Sequence, residues 1–251
     1  LNLMTTTPRP MNTCYRKIVF CISLLVSTLC AKAQIGDPRS VLSIGGSGGV
    51  SLSSIAFDPT IKQGQLMQPT MGFTLRYTCE KYFTTLCAFQ AEVNFMKLGW
   101  KEEILSSESV KLPDTYERCL SYIQIPIMAR LAWGRENRGL MFFILLGPQA
   151  GFYLGQSAKQ SKQWTLNSQG NPDRPNNVYQ QYALDPQNKF DYGLTGGGGL
   201  ELNTAIGHFM LEGRYYFGLG DTFKNSKKDP FSRSAHRSII IKGSYLFDLI
   251  K

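Results

Sequence analysis

From about residue 40 onward the chain repeats one pattern eight times: apolar and polar residues alternate with a period of two. The clearest stretch runs from Tyr122 to Trp133. There Ile123, Ile125, Ile127, Ala129, Leu131 and Trp133 share one face, and Tyr122, Gln124, Pro126, Met128, Arg130 and Ala132 share the other. Residues His208 to Leu219 repeat it, with Phe209, Leu211, Gly213, Tyr215, Phe217 and Leu219 opposing His208, Met210, Glu212, Arg214 and Tyr216. A third case sets Ile239, Ile241, Gly243, Tyr245 and Phe247 against Ser238, Ile240, Lys242, Ser244 and Leu246. This period belongs to strands, not helices. It predicts strands over about 40–55, 68–79, 83–98, 118–133, 139–156, 189–203, 206–220 and 236–249.

Length decides what such strands can build. A tilted strand crosses an outer membrane in about 9–11 residues, whereas a strand in a soluble domain averages about 5–6. The connections also alternate. Long ones are expected at 57–67, 101–117, 157–188 and 221–235, and short ones at 80–82, 134–138 and 204–205. Long loops on one side and turns on the other is the layout of a membrane barrel. The expected fold is therefore all-β: an eight-stranded antiparallel up-and-down transmembrane β-barrel with four long extracellular loops and three short periplasmic turns.

Aromatic residues add two expected interfacial girdles. One holds Trp100, Tyr116, Phe190 and Tyr192 at the loop end. The other holds Tyr77, Tyr82, Phe83, Trp133, Phe209, Tyr245 and Phe247 at the turn end.

The first 33 residues read as an address. Arg16 and Lys17 precede an uncharged stretch from Ile18 to Leu29, and Ala31-Lys32-Ala33 is a small-x-small cleavage pattern. Residues 1–33 are thus expected to be an N-terminal extension plus a cleavable secretory leader starting at Met11. Cleavage after Ala33 leaves 34–251 as the barrel domain. Leu29 before Cys30 disfavours lipid attachment. Residues 1–33 hold Arg9, Arg16, Lys17 and Lys32 and no acids, so the formal charge falls from +9 to +5 on their removal. That balance gives no support for nucleic-acid binding. The mean hydropathy of −0.17 excludes a bundle of apolar helices but not a barrel, whose lipid and lumen faces average out. The leader also takes three of the six cysteines. Cys79, Cys87 and Cys119 remain, with pairing of Cys79 and Cys87 left open.

If the apolar faces meet lipid, the polar faces meet one another. They carry Arg76, Glu92, Arg130, Glu201, Glu212, Arg214 and Lys242. An eight-stranded barrel is just wide enough for its own side chains, so these charges are expected to plug the lumen as ion pairs. The alternative is a charged path for protons or small ions. Glycines at 45, 46, 48 and 49 and at 196–199 leave room for large inward side chains. Lys224, Lys227, Lys228, Arg233 and Arg237 are expected to cluster in the last long loop, where they could meet lipopolysaccharide phosphates.

Chemistry-bearing motifs are few. Gly45-Gly46-Ser47-Gly48-Gly49 matches G-x-S-x-G, but no helix follows it. Gly196–Gly199 lacks the Lys-Ser/Thr ending of a phosphate loop. His208 and Glu212 share a face about 13 Å apart, too far for contact without help from another strand. His236, near a loop end, is the better placed of the two histidines for a lipid-modifying enzyme. No metal-ligand spacing is present. The expectation is no catalytic residue, cofactor or metal.

Five segments carry a family resemblance. Tyr122-Ile123-Gln124-Ile125-Pro126 followed by Ala129-Arg130 resembles a Y-(L/I)-(E/Q)-I-P strand. Gly147-Pro148-Gln149-Ala150-Gly151 followed by Gly155, Phe190-Asp191-Tyr192-Gly193, Arg214-Tyr215-Tyr216 with Gly218-Leu219, and Arg237-Ser238-Ile239 with Tyr245-Leu246-Phe247 are similar to the strands that follow it. Together they resemble the PorT-type outer-membrane β-barrel family, often labelled the porin family. The chain departs from it by running Asp248-Leu249-Ile250-Lys251 past the last aromatic. The resemblance implies an outer-membrane location in a Gram-negative bacterium, assembly by the barrel-assembly machinery, and contact with outer-membrane lipid and lipopolysaccharide. It does not settle activity; the expected role is structural, accessory or interactive, with other envelope or secretion proteins as possible partners. The namesake branch is linked to type IX protein secretion as an accessory, though no motif here places the chain in that branch. The competing functions are a small passive or gated pore and an outer-membrane lipid-modifying enzyme.

Overall fold

The computed structural model describes residues 36–106, 110–161, 163–173 and 178–250. The expected leader and its expected cleavage site lie outside the described residues. Within residues 37–251, one compact unit, the elements are β1 (Asp37–Asp58), β2 (Gln63–Gly64), β3 (Leu66–Tyr82), β4 (Thr85–Leu105), β5 (Lys111–Gly134), β6 (Gly139–Gln160), the single-turn helix α1 (Gln180–Ala183), β7 (Phe190–Thr204), β8 (Gly207–Asp221) and β9 (Arg233–Ile250). Each long strand pairs antiparallel with its sequence neighbour. The ring closes where β1 pairs with β9, from Leu42↔Ile250 to Asp58↔Arg233. The two-residue β2 adds to β4 outside this ring of eight. No described helix is long and apolar enough to cross a membrane; the crossing elements are strands.

The alternation sorts the faces. Along β5 every second residue from Tyr122 to Ala132 is buried, while Ile127, Ala129 and Leu131 are exposed. The outer surface is a belt of large apolar residues, with Phe73 73% and Leu146 65% exposed. In water such a belt would be an aggregation surface; against acyl chains it is the required one.

The strands outrun the membrane on the loop side. Phe95, Ile123, Phe152 and Phe190 form one apolar rung, each in register with the next. Beyond it, Lys101, Glu117 and Lys159 form a charged rung, with Lys101 Nζ 2.6 Å from Glu117 Oε1. The outward code switches from lipid to water between these rungs, and the β4–β5 hairpin continues past it.

That continuation corrects the expected loop at 101–117. Those residues are polar outward, so they resemble a loop, but the ladder runs to Leu105↔Lys111 and leaves only residues 106–110 as connection. The same hairpin corrects the loop-end girdle. Trp100 and Tyr116 are fully buried inside the barrel, not at the lipid surface. The outward aromatics at that level are Phe152, Phe190 and Tyr192, whose rings pack at 5.4 and 6.0 Å. At the turn end, Trp133 stacks on Phe142 at 5.1 Å, and Phe209 packs on Tyr245 at 4.9 Å.

Inward glycines let neighbouring strands approach. A Cβ on Gly199 would lie 2.2 Å from the Leu211 carbonyl oxygen, and one on Gly49 would lie 2.1 Å from that of Ile241. Both distances are impossible for a side chain, so these positions accept only glycine at this coil of the sheet.

Cys79, Cys87 and Cys119 are free thiols. Cys79 occupies the irregularity between Thr78 and Glu80, beside Cys87.

Candidate functional site

The lumen is filled in layers. At mid-height, Glu92 on β4, Glu212 and Arg214 on β8 and Lys242 on β9 form a buried cluster of two acids and two bases. Lys242 Nζ lies 2.7 Å from Glu92 Oε2 and 3.2 Å from Glu212 Oε1. Arg214 spans both acids, with Nη1 2.9 Å from Glu92 Oε2 and Nη2 2.6 Å from Glu212 Oε1. Gln90 and Asn94 donate to the two Glu92 oxygens at 2.7 and 2.9 Å. Alternation brings these groups inward, and the register Glu212↔Lys242 sets two of them side by side. Removing two acids and two bases from water is offset only by this mutual pairing.

Nearer the turns, Glu201 on β7 accepts from Arg76 at 2.8 Å and from Arg130, which also lies 4.2 Å over the Phe143 ring. Met128, Met141, Leu145, Met210 and Leu246 fill the space around these groups. All seven charges singled out from the sequence are buried and divided between these two clusters.

Sequence reasoning missed two partners of the second cluster. His208 places Nδ1 3.0 Å from Glu201 and Nε2 2.9 Å from Asp248, so carboxylates from β7 and β9 take the place of the distant Glu212. Asp248 also accepts from Ser43 at 2.8 Å. The signal was present: Ser244, Leu246 and Asp248 continue one face of the last strand past its final aromatic.

Toward the loops the interior becomes aromatic. Phe57, Trp100, Tyr116, Phe223 and Phe231 pack with Trp164 and Tyr182 from the longest connection. Glu102 accepts from Tyr182 Oη at 2.6 Å and from Trp100 Nε1 at 3.2 Å. Arg118 donates to Gln156 at 3.0 Å and to the Gln181 carbonyl at 2.7 Å, with its guanidinium 5.7 Å from the Trp100 ring. Helix α1 is thereby drawn over the loop-side mouth.

His236 lies under this cap, 1% exposed, with Nε2 3.1 Å from Thr222 Oγ1 and 3.2 Å from Tyr122 Oη. It faces the interior and not the lipid. Lys224, Lys227 and Lys228 are exposed in the β8–β9 connection. Arg233 and Arg237 point outward from β9 and flank Phe217, their guanidinium carbons 5.8 and 5.7 Å from its ring. No group of three metal-ligating side chains occurs among the described residues.

A closed ring of long strands, a lipid-type belt and a filled lumen describe an integral membrane barrel. A family model described as "Outer membrane protein beta-barrel domain" matches residues 32–224. The chain belongs to this family of outer-membrane β-barrels. None of the curated proteins matches it. Several solved structures are similar. Ail, the attachment invasion locus protein of Yersinia pestis, solved in complex with the heparin analogue sucrose octasulfate, is 16% identical with a TM-score of 0.34, covering 83% of this chain and 100% of its own. Neisserial surface protein A is 10% identical with a TM-score of 0.39, covering 83% and 97%. OprG of Pseudomonas aeruginosa is 12% identical with a TM-score of 0.38, covering 84% and 98%. As an outer-membrane barrel, the protein puts its short turns in the periplasm and its capped, protruding end outside the cell.

Proposed function

We propose that this outer-membrane barrel is a non-conducting, non-enzymatic component of the Gram-negative envelope, reached by cleavage of a leader after Ala33. Its protruding loop side offers a fixed surface to another envelope or secretion component. The observation that carries this reading is the docking of α1 over the loop-side mouth by Glu102 and Arg118. Ordering a long loop costs conformational entropy; a rigid loop surface repays it by lowering the cost of binding a partner. Two ion-paired layers beneath the cap support the absence of conduction. The burial of His236 supports the absence of lipid chemistry. The finer kinship, to the PorT-type branch and its secretion role, belongs to the same proposal.

The lysines at 224, 227 and 228 and the outward Arg233 and Arg237 suit the phosphates of lipopolysaccharide beside the barrel. The barrel-assembly machinery is its partner during insertion.

Crosslinking and affinity capture from native outer membranes test the proposal. A discrete partner retained by the wild type and lost on Trp100→Ala, which loosens the cap, is expected. Capture of no partner, or stepwise currents in a planar bilayer, would replace this reading with that of a lone barrel or a pore.

A further inference from the structure

The periplasmic end of the barrel holds a cavity that a loop-side role leaves unused. It encloses about 630 Å³ and is ringed by the start of β1, the turns after β5 and β7, and the end of β9. That volume is in the range of small-molecule sites. Arg76 and Arg130, each only 3% exposed, line it deep in the barrel, and Arg39 and Arg138 line it near the mouth.

Three carboxylates share the lining, and each is already engaged. Glu136 accepts from Arg39 at 3.0 Å and from Lys81 at 3.1 Å. Glu201 holds the two deep arginines, and Asp248 takes Ser43 and His208. The arginines retain spare capacity. A guanidinium carries five N–H donors, and the Nε atoms of both Arg76 and Arg130 are buried without a hydrogen-bond partner. A buried donor without an acceptor is unfavourable. Four arginines against three carboxylates also leave the cavity with an excess of positive charge. Leu86 and Met141 supply apolar wall between the charged groups.

We propose that this cavity binds the carboxylate or phosphate group of a small periplasmic solute. Arg39 and Arg138 meet its oxygens at the mouth, and Arg76 and Arg130 supply positive charge at depth. The planar guanidinium fork matches two oxygens of either group, which an ammonium does not. Volume restricts the ligand to a metabolite-sized anion. The excess positive charge disfavours cations, and a neutral sugar gains no charge pairing from it.

The test uses the whole mature barrel in lipid nanodiscs, with ¹⁵N-arginine resonances followed by NMR. Succinate, glycerol 3-phosphate and sodium chloride are titrated at matched ionic strength. Saturable movement of the Arg76 and Arg130 Nε–H signals by at least one organic anion, and not by chloride, is expected. The tighter of the two identifies the group as carboxylate or phosphate. The double variant Arg39→Gln/Arg138→Gln, confined to the rim and so compatible with folding, is expected to weaken that binding about tenfold or more. Equal drift with all three salts, or affinity unaltered by the rim variant, would overturn the proposal. Neither result bears on partner capture by the loop side, so the two readings fail separately.

Discussion

The two halves of the lumen solve the same packing problem with opposite chemistry. Between the turns and mid-height, inward positions carry Arg76, Glu92, Arg130, Glu201, Glu212, Arg214 and Lys242, bound to one another and padded by Met and Leu. Above the lipid belt, inward positions carry Phe57, Trp100 and Tyr116, covered by side chains from the loops. In the lower half, long charged side chains reach across the lumen to partners on other strands. In the upper half, loops fold over the opening and can bury aromatic surface. The first half depends on pairing and the second on apolar area, so the same class of damage should act differently in each.

Breaking an ion pair should have the largest effect. Arg214→Met leaves Glu92 and Glu212 to share Lys242, and stranding a buried charge costs about 3–5 kcal/mol. Reversible unfolding in lipid vesicles should show that loss for the whole barrel; a wild-type midpoint would mean the lower half does not rely on pairing. Trp100→Ala removes the largest fully buried side chain of the cap, a change of about 3 kcal/mol, but locally. Protease should then cut the 161–189 connection while the heat-dependent gel shift of the barrel stays. Loss of both together would show the halves to be one cooperative unit.

Gly199→Val sets a side chain against the Leu211 carbonyl between Glu212 and Phe143. Such overpacking costs about 1–3 kcal/mol, read in the same unfolding assay. Lys101→Ala breaks an ion pair in water above the belt and should change stability by about 1 kcal/mol at most. A larger loss would place that rung in lipid.

The smallest effect concerns pH at the periplasmic turn. Partial burial pushes the Glu136 carboxyl up, but hydrogen bonds from Arg39 and Lys81 prevail and hold it below the usual carboxylate range. Its folded pKa being depressed, its contribution is present at neutral pH and fades as pH falls through and below that range. The thermal midpoint of Glu136→Gln should therefore trail the wild type at neutral pH and converge with it in acid.

How far the sequence could be read followed the physics of each position. A strict period of two makes the inward set follow from the face alone, so Glu212 and Lys242 could be assigned before any contact was known. Trp100 and Tyr116 read as girdle residues but are buried, because an aromatic at a membrane edge is equally at home in lipid or under a loop. Nothing local shows that Glu102 and Arg118 will bring α1 over them. Asp248 continues the inward face of the last strand past Phe247, but only the register of three strands brings it through His208 to Glu201.

By itself, then, the sequence determined strand count, sidedness and the inward charge set, since these depend only on alternation and connection length. Tertiary structure decided who pairs with whom, the height at which the strands leave the membrane, the cap, and the arginine-lined cavity. Those depend on register and on approach between residues more than a hundred positions apart, such as Arg76 and Glu201, which no local pattern encodes.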